Sequence, residues 1–330
     1  MTSPSNSTSR PLRCGIVGAG RIAWAYDGGS PDPDKSLTHA SCFARDPRTK
    51  LVAMLDTDRD ALDAFTRRNP GLSTGTALTT EPDQFFSQDL DLISICAPAD
   101  QRSEHISRSF AQSPRYLWIE KPVAPDLATY ERLLEAYQSL SNKPRISVNY
   151  CRRNMPQYRR LIEDVVENLE TLVCVEVTYS RSLAINGVHM LDLVGAMFGD
   201  QCPSKLDWVQ HASGPNPSFG FSIEGCPIFV HGLDTPYHCI EIRATFQDKR
   251  VAITRSGYEV IEEHRIPNPD YPETSLLSSA TRSNRSVEAT DIMRDPLYPN
   301  LCNLLSDDSP ILSSIETAGF VQKILHLVQD

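Results

Sequence analysis

The chain has no apolar run approaching the ~20 residues that a membrane span requires. It has no Cys-x-x-Cys and no His-x-x-x-His spacing, so no metal site is expected. It also has no surplus of positive charge. Its 32 Lys and Arg stand against 42 Asp and Glu, a formal net charge of −10. Nucleic acid and anionic membrane surfaces both want a basic face, so neither is expected as a partner. Nine cysteines are scattered, several inside apolar runs, as Cys96 in "LISICAP" and Cys174 in "LVCVEV". An odd, unclustered set suits free thiols in a reducing cytoplasm better than a disulfide framework. The opening "MTSPSNSTSRPLR" lacks the apolar core of a signal peptide, and residues 1–12 are expected to be a disordered arm.

What is present reads as two domains. Residues 13–150 alternate short apolar runs with amphipathic patterns: "RCGIVG", "KLVAMLD", "DLISICAP", "RYLWIE" and "RISVNY" are of strand length and apolar on both faces. Such runs belong to parallel strands covered by helices, which predicts a doubly wound Rossmann sheet. From 151 the pattern changes to one-sided alternation. Val173, Val175, Val177 and Tyr179 share one face, as do Ile240, Ile242, Ala244 and Phe246. Residues 151–330 are therefore expected to be an α+β domain on a largely antiparallel open sheet, with 265–292 a long Pro/Ser-rich connection. Ser313-x-x-Glu316 has the capping-box spacing for a closing helix.

The strongest local signal is "CGIVGAGRIA", in which Gly18, Gly20 and Ala23 follow the first strand directly. Gly18 suits a tight turn, Gly20 lets the backbone approach a pyrophosphate, and Ala23 lets helix pack on strand. Arg21 and Ile22 lie in the same turn, where a helix N-terminus favours an anion. Asp56 ends the second strand, where its carboxylate can take a ribose hydroxyl and repel a 2′-phosphate, which favours NAD over NADP. It could equally cap the next helix. Gly18 and Asp56 are 38 residues apart, where about 20 is usual. The Gly/Pro/Asp-rich "AYDGGSPDPDKSLTH" between the expected first helix and the second strand accounts for the excess.

Glu120-Lys121-Pro122 falls at the carboxyl end of an apolar strand, the edge where open parallel sheets bind ligands. A lysine there could stabilise a developing alkoxide, or be a solvated turn residue. "SLAINGVHMLDLVG" sets His189 and Asp192 three apart, on one helix face, in an apolar run. Asn186 suits an N-cap ahead of them or a substrate contact. Arg152 and Arg153 could pair with a substrate phosphate, or form a solvated face with Arg159 and Arg160.

Taken in order, Gly18-x-Gly20-x-x-Ala23, Asp56, "ICAP", "EKP", "VNYCRRNMP" and "NGVHMLD" resemble the glucose–fructose oxidoreductase/inositol dehydrogenase (Gfo/Idh/MocA) family, over roughly residues 13–328. The resemblance implies a Rossmann domain, an α+β domain that often makes the oligomer contact, and NAD(P)-dependent chemistry on a sugar or cyclitol hydroxyl. By the same resemblance Lys121 contacts nicotinamide and substrate beside Glu120, His189 transfers the proton, and Asp192 contacts substrate. Ala97-Pro98 lies in the loop over the cofactor. Where many members carry an aspartate four residues before the histidine, this chain has Ile185.

These readings give an oxidoreductase in which His189 exchanges a proton with a carbinol, Lys121 holds its oxygen, and Asp192, Asn186 and Arg153 hold a carbohydrate-like substrate. A homodimer or homotetramer is expected. Two rivals remain at this level: a redox-neutral NAD-dependent sugar enzyme working through a transient ketone, and a non-catalytic NAD(H) sensor.

Overall fold

A computed structural model describes residues 10–27, 36–278, 281–282 and 295–329. Residues 1–9 of the expected arm lie outside these, while Arg10 already pairs with Asp91 at 2.5 Å and Leu12 opens the first strand.

The first sheet is the six-stranded Rossmann arrangement, in the order β3-β2-β1-β4-β5-β6. Its strands are β1 (Leu12–Val17), β2 (Thr49–Leu55), β3 (Ala77–Thr79), β4 (Leu92–Ile95), β5 (Tyr116–Ile119) and β6 (Arg145–Val148). β4 and β5 are buried at every position, as apolar runs covered on both faces must be.

The helix expected after the glycine turn is interrupted. Gly20 and Arg21 accept from Trp24 and Ala25 in one helical turn. The carbonyls of Ile22 and Ala23 would then accept from Tyr26 and Asp27. Instead they accept from His39 (3.1 Å) and Ala40 (2.9 Å), at the start of α1 (His39–Arg45). The excursion is thus spliced into the helix rather than placed after it. His39 stands where Tyr26 would, thirteen positions on, and removing those thirteen brings the Gly18–Asp56 separation from 38 to 25. Asp27 closes the splice by accepting from the Leu37 N–H at 3.0 Å and the Thr38 hydroxyl at 2.5 Å.

Further helices of this half are α2 (Arg59–Arg68), α3 (Pro70–Ser73), α4 (Pro82–Phe86) and α5 (Ala99–Gln112). Two compact units share the crossover that follows. One ends at Glu120 and takes in Ala136–Ile146. The other comprises Lys121–Glu135 and everything from Ser147. The helix α6 (Leu127–Ser139) is capped by Asp126, whose carboxylate accepts from Thr129 N–H at 2.7 Å.

The second unit is built on a nine-stranded sheet that is mixed rather than antiparallel throughout. β7 (Leu172–Ser180) pairs antiparallel with β11 (Ile240–Phe246) but parallel with β10 (Cys226–Leu233). β9 (Ser218–Ile223) and β8 (Trp208–Gln210) extend one side. β12 (Lys249–Thr254) and β13 (Glu259–Pro267) extend the other. The expected alternation holds in β11, where Ile240, Ile242, Ala244 and Phe246 are all buried. In β7, Val173 is 48% exposed while Val175, Val177 and Tyr179 are buried. The connection expected at 265–292 begins as structure: Arg265–Pro267 continue β13, β14 (Ser275–Leu277) pairs back on them, and β15 (Thr281–Arg282) pairs lower on the same strand.

α7 (Pro156–Glu167) buries Tyr158, Leu161 and Val165; α8 (Val188–Met197) is apolar almost all round. The closing helix Ala318–Gln329 is capped one residue later than expected. Ser314 Oγ accepts from Thr317 N–H (3.3 Å) and Thr317 Oγ1 from Ser314 N–H (2.9 Å), while Ser313 is buried.

Candidate active site

The first unit carries a cleft of about 290 Å³ above the glycine turn, lined by Gly18, Gly20, Asp56, Ala97 and Pro98 with Cys96, Gln101 and His105 among others. Gly18 has φ +92°, and a Cβ there would stand 2.8 Å from the Ala97 backbone nitrogen, so turn and strand end close on each other only through glycine. At Gly20 a Cβ would meet nothing within 4 Å, so its backbone faces open space into which a diphosphate fits. Asp56 accepts from Ala19 N–H at 2.6 Å and Asp58 N–H at 2.8 Å, locking the turn to the end of β2. Its acceptor-only carboxylate keeps lone pairs for ribose hydroxyls. The helix cap that Asp56 was an alternative for is Asp58, which accepts from Asp60 N–H.

Of the other residues expected on the cofactor, Arg21 and Ile22 are not in the lining of this cleft; their carbonyls carry the spliced helix. Glu120 is buried and holds His39, with Oε1 3.0 Å from Nε2, while Ser94 Oγ lies 2.6 Å from Nδ1 on the other side of the ring. Trp118 packs on the imidazole at 3.9 Å. Burial opposes a charge on His39, but the Cys96 sulfur and the Glu120 carboxylate outweigh it and push the ring up to about 9. Sequence reasoning passed over His39 because it sits at the far end of the excursion, with no spacing to link it to Ser94 or Glu120.

The second unit brings Lys121 and His189 together. The Lys121–Pro122 peptide is cis, and Lys121 Nζ donates to the carbonyl of Ile185 at 2.7 Å. That carbonyl belongs to a π-helical stretch, Leu183–Gly187, that runs directly into α8. His189 is the second residue of α8, half-buried, with Tyr150 edge-on at 6.1 Å. Burial first, then the Lys121 ammonium and the Arg152 guanidinium, hold its pKa well below the ordinary histidine value. The ring is neutral at neutral pH and able to accept a proton.

Three expectations are corrected here. Asn186 does not cap α8: it sits inside the π-helical stretch and its Nδ2 donates to the Ser180 carbonyl at 2.7 Å, while Ser182 caps by accepting from Ile185 N–H. Asp192 does not reach out to a substrate. It is fully buried, its Oδ2 takes Arg153 Nε at 2.8 Å, and burial pushes the carboxyl up to about 7. Arg153 is consumed by the same network. It also donates to Asp200 Oδ1 at 2.7 Å and to the Leu312 carbonyl at 2.9 Å. The adjacent arginines are not a solvated face, since Arg152 and Arg153 are both buried. The Ile185 side chain, where many members carry an aspartate, is 51% exposed.

Among the described residues no group of three or more His, Cys, Asp or Glu side chains could hold a metal, and no helix is long and apolar enough to cross a membrane. The nine cysteines are free thiols.

Comparison with known proteins finds a family match over the first unit. Residues 12–150 match the GFO_IDH_MocA model, an oxidoreductase family with an NAD-binding Rossmann fold. Solved structures share the fold over nearly the whole chain. The WlbA dehydrogenase from Bordetella pertussis, in complex with NADH and UDP-GlcNAcA, is 15% identical with a TM-score of 0.73, covering 97% of this chain and 95% of that one. GenD2 from gentamicin A biosynthesis, in complex with NAD, is 15% identical with a TM-score of 0.70, covering 99% and 95%. KijD10, a 3-ketoreductase from Actinomadura kijaniata solved with TDP-benzene and NADP, is 16% identical with a TM-score of 0.66, covering 96% of each. No curated protein matches the chain by sequence.

Proposed function

We propose that this chain, whose first domain is that of an NAD-binding oxidoreductase family, is a dehydrogenase or ketoreductase acting on a secondary hydroxyl or ketone of a sugar-like substrate. The observation that carries the reading is Lys121 held on the Ile185 carbonyl, near enough for its charge to act on the neutral, half-buried His189 at the start of α8. The neighbours' ligands, two sugar-nucleotide compounds or analogues and NAD, NADH or NADP, point the same way.

Gly18, Gly20, Asp56, Ala97 and Pro98 would hold the dinucleotide, with the open backbone at Gly20 taking the diphosphate. Asp56 favours NAD, because a 2′-phosphate would meet its carboxylate at the same edge. When bound, the nicotinamide supplies the hydride acceptor or donor. The chain's own groups handle the proton. His189 takes it at Nε2 from the carbinol, its Nδ1 being buried without a partner among the described residues. The Lys121 ammonium holds the carbinol oxygen and stabilises the negative charge that develops there. Asp192 and Arg153 hold α8 in place and touch no substrate.

For the assembly, the β13–β14 hairpin leaves Ile266, Tyr271, Leu276 and Leu277 exposed at a sheet edge, a surface suited to a homodimer or homotetramer. A cytoplasmic setting fits the nine free thiols.

The test is absorbance at 340 nm with NAD⁺ and NADP⁺ across free sugars, cyclitols, sugar phosphates, uronates and nucleotide sugars. Turnover with one class, reduced at least 100-fold in Lys121→Ala and in His189→Ala, is expected. Full activity in either variant would overturn these roles. Product change without net NADH would point to redox-neutral chemistry, and unaltered ligand with tight NADH binding to a sensor.

A further inference from the structure

The chain turns from β7 into the π-helical stretch within two residues, and both are left-handed. Arg181 has φ +70°, and Ser182 has φ +99° with ψ 149°. Glycine enters the Ser182 region freely and a residue with a Cβ does not, so this backbone persists only where its surroundings impose it. The surroundings are the loop between β8 and β9. Asn216 Oδ1 accepts from Ser182 N–H at 2.8 Å, and the Pro215 carbonyl accepts from Leu183 N–H at 2.8 Å. The Pro217 carbonyl accepts from the Tyr179 hydroxyl, near the end of β7, at 2.7 Å. Asn216 stands between two prolines, which fix their own φ and steer Asn216 away from helical backbone. It is also seated against β10, where a Cβ on Gly232 would come 2.4 Å from the Asn216 carbonyl oxygen. The acceptor that holds Ser182 is therefore itself fixed.

The strained residue bears on Lys121. A glycine would take this backbone without strain, but it would lack the Oγ that accepts from Ile185 N–H at 3.2 Å. The Ser182 carbonyl accepts from both Asn186 N–H (3.0 Å) and Gly187 N–H (3.3 Å), which widens the turn to the π-helical form. The carbonyls of Ile185 and Ala184 then lie 2.7 and 3.4 Å from Lys121 Nζ. Asn216 thus holds Ser182, Ser182 holds Ile185, and Ile185 holds the lysine. We infer that Asn216 and Ser182 are positioning residues for Lys121, setting through the strained turn where its ammonium stands. The inference rests on the reading of Lys121 as the group that holds the carbinol oxygen. Small displacements of such a group cost much of the rate, which gives the strain at Ser182 a use.

The experiment is competitive labelling of the full chain with a trace of acetic anhydride, each lysine being quantified by mass spectrometry against the exposed Lys50. In Asn216→Ala and in Ser182→Gly the Lys121 rate relative to Lys50 should rise about threefold or more, because a group held less firmly opens more often. Asn216→Asp keeps an acceptor for Ser182 N–H and should show a smaller rise than Asn216→Ala. Ser182→Gly should keep the wild-type melting temperature or exceed it, since glycine takes this backbone freely and caps nearly as well. With the sugar that the 340 nm assay identifies, kcat should fall about tenfold or more in both variants while KM for NAD⁺ stays in place. An unchanged Lys121 rate in both variants would overturn the inference, as would an unchanged kcat beside a released lysine. A lower melting temperature in Ser182→Gly with Lys121 still protected would mark a structural role alone and overturn it too. A released Lys121 in a chain that transfers hydride to or from no sugar would instead leave the positioning standing and remove the dehydrogenase.

Discussion

Replacing Arg153 by methionine isolates the network that ties α8 to the rest of its unit. The guanidinium donates to both the carboxylate and the carbonyl of Asp192, to Asp200 and to Leu312, and the Asp192 side chain is wholly out of water. Removing the cation leaves a buried carboxylate uncompensated, a change that costs about 3–5 kcal/mol. At roughly 2–4 °C per kcal/mol for units of this size, the melting temperature should fall by about 6–20 °C. Arg59→Met, which breaks the exposed Arg59–Asp63 pair, should move it by no more than a degree or two. The loss should also depend on pH. Burial already pushes Asp192 up to about 7 with Arg153 present, and without Arg153 it is pushed higher. A carboxyl whose folded pKa lies above its unfolded value gains stability by protonation. That gain is complete below the ordinary carboxylate pKa and is lost as pH rises through the folded one. The deficit of Arg153→Met should therefore be smaller at pH 5.5 than at pH 8. Thermal unfolding followed by circular dichroism at the two pH values reads both effects. A shift under 2 °C with weakened sugar binding would refute the structural role and return Arg153 to the substrate.

Three other perturbations follow from the first unit. Gly18→Ala forces a Cβ to within 2.8 Å of backbone at φ +92°, so about 2 kcal/mol of stability and at least tenfold in NADH affinity should be lost, by urea unfolding and fluorescence titration. Asp56→Ser removes the carboxylate facing the ribose edge, and the ratio of NADPH to NADH affinity should rise tenfold or more; an unchanged ratio would show that Asp56 serves only the turn. Glu120→Gln should cost about 2 kcal/mol at pH 6.5. His39 is held above its unfolded value, to about 9, so this stability is complete below pH 6.5 and fades as pH rises through 9. The melting gap to wild type should narrow by pH 10.

The parts of this molecule legible in sequence are those fixed by nearest neighbours in the chain. The buried strands β4 and β5, the alternation of β11, the glycine turn and the Asp126 cap each follow from residues within a few positions of one another. What was not legible depends on distant partners. Nothing in "CRRN" says which arginine will find Asp192 and Asp200, 39 and 47 positions on, and which will lie over the Tyr158 ring. The splice at Ile22–His39 is a hydrogen-bond exchange across an excursion, so the sequence shows its excess length but not its point of entry. Asn186 has the composition of a cap, but one extra residue in the helical turn carries its amide to Ser180 instead. The parallel β7–β10 pair is likewise a matter of topology, since both strands alternate as antiparallel ones do.

The central claim, hydride exchange between nicotinamide and a carbinol of a sugar-like substrate, is tested most directly with isotope. Sugars, cyclitols, sugar acids and sugar phosphates carrying deuterium at their carbinol carbons are incubated with NAD⁺ and the enzyme, and the nicotinamide is recovered for mass spectrometry. NADH one mass unit heavier with at least one of these substrates, formed at least 100-fold more slowly in His189→Ala, is the predicted result. Unlabelled nicotinamide with every sugar, from protein shown to bind NADH, would contradict it.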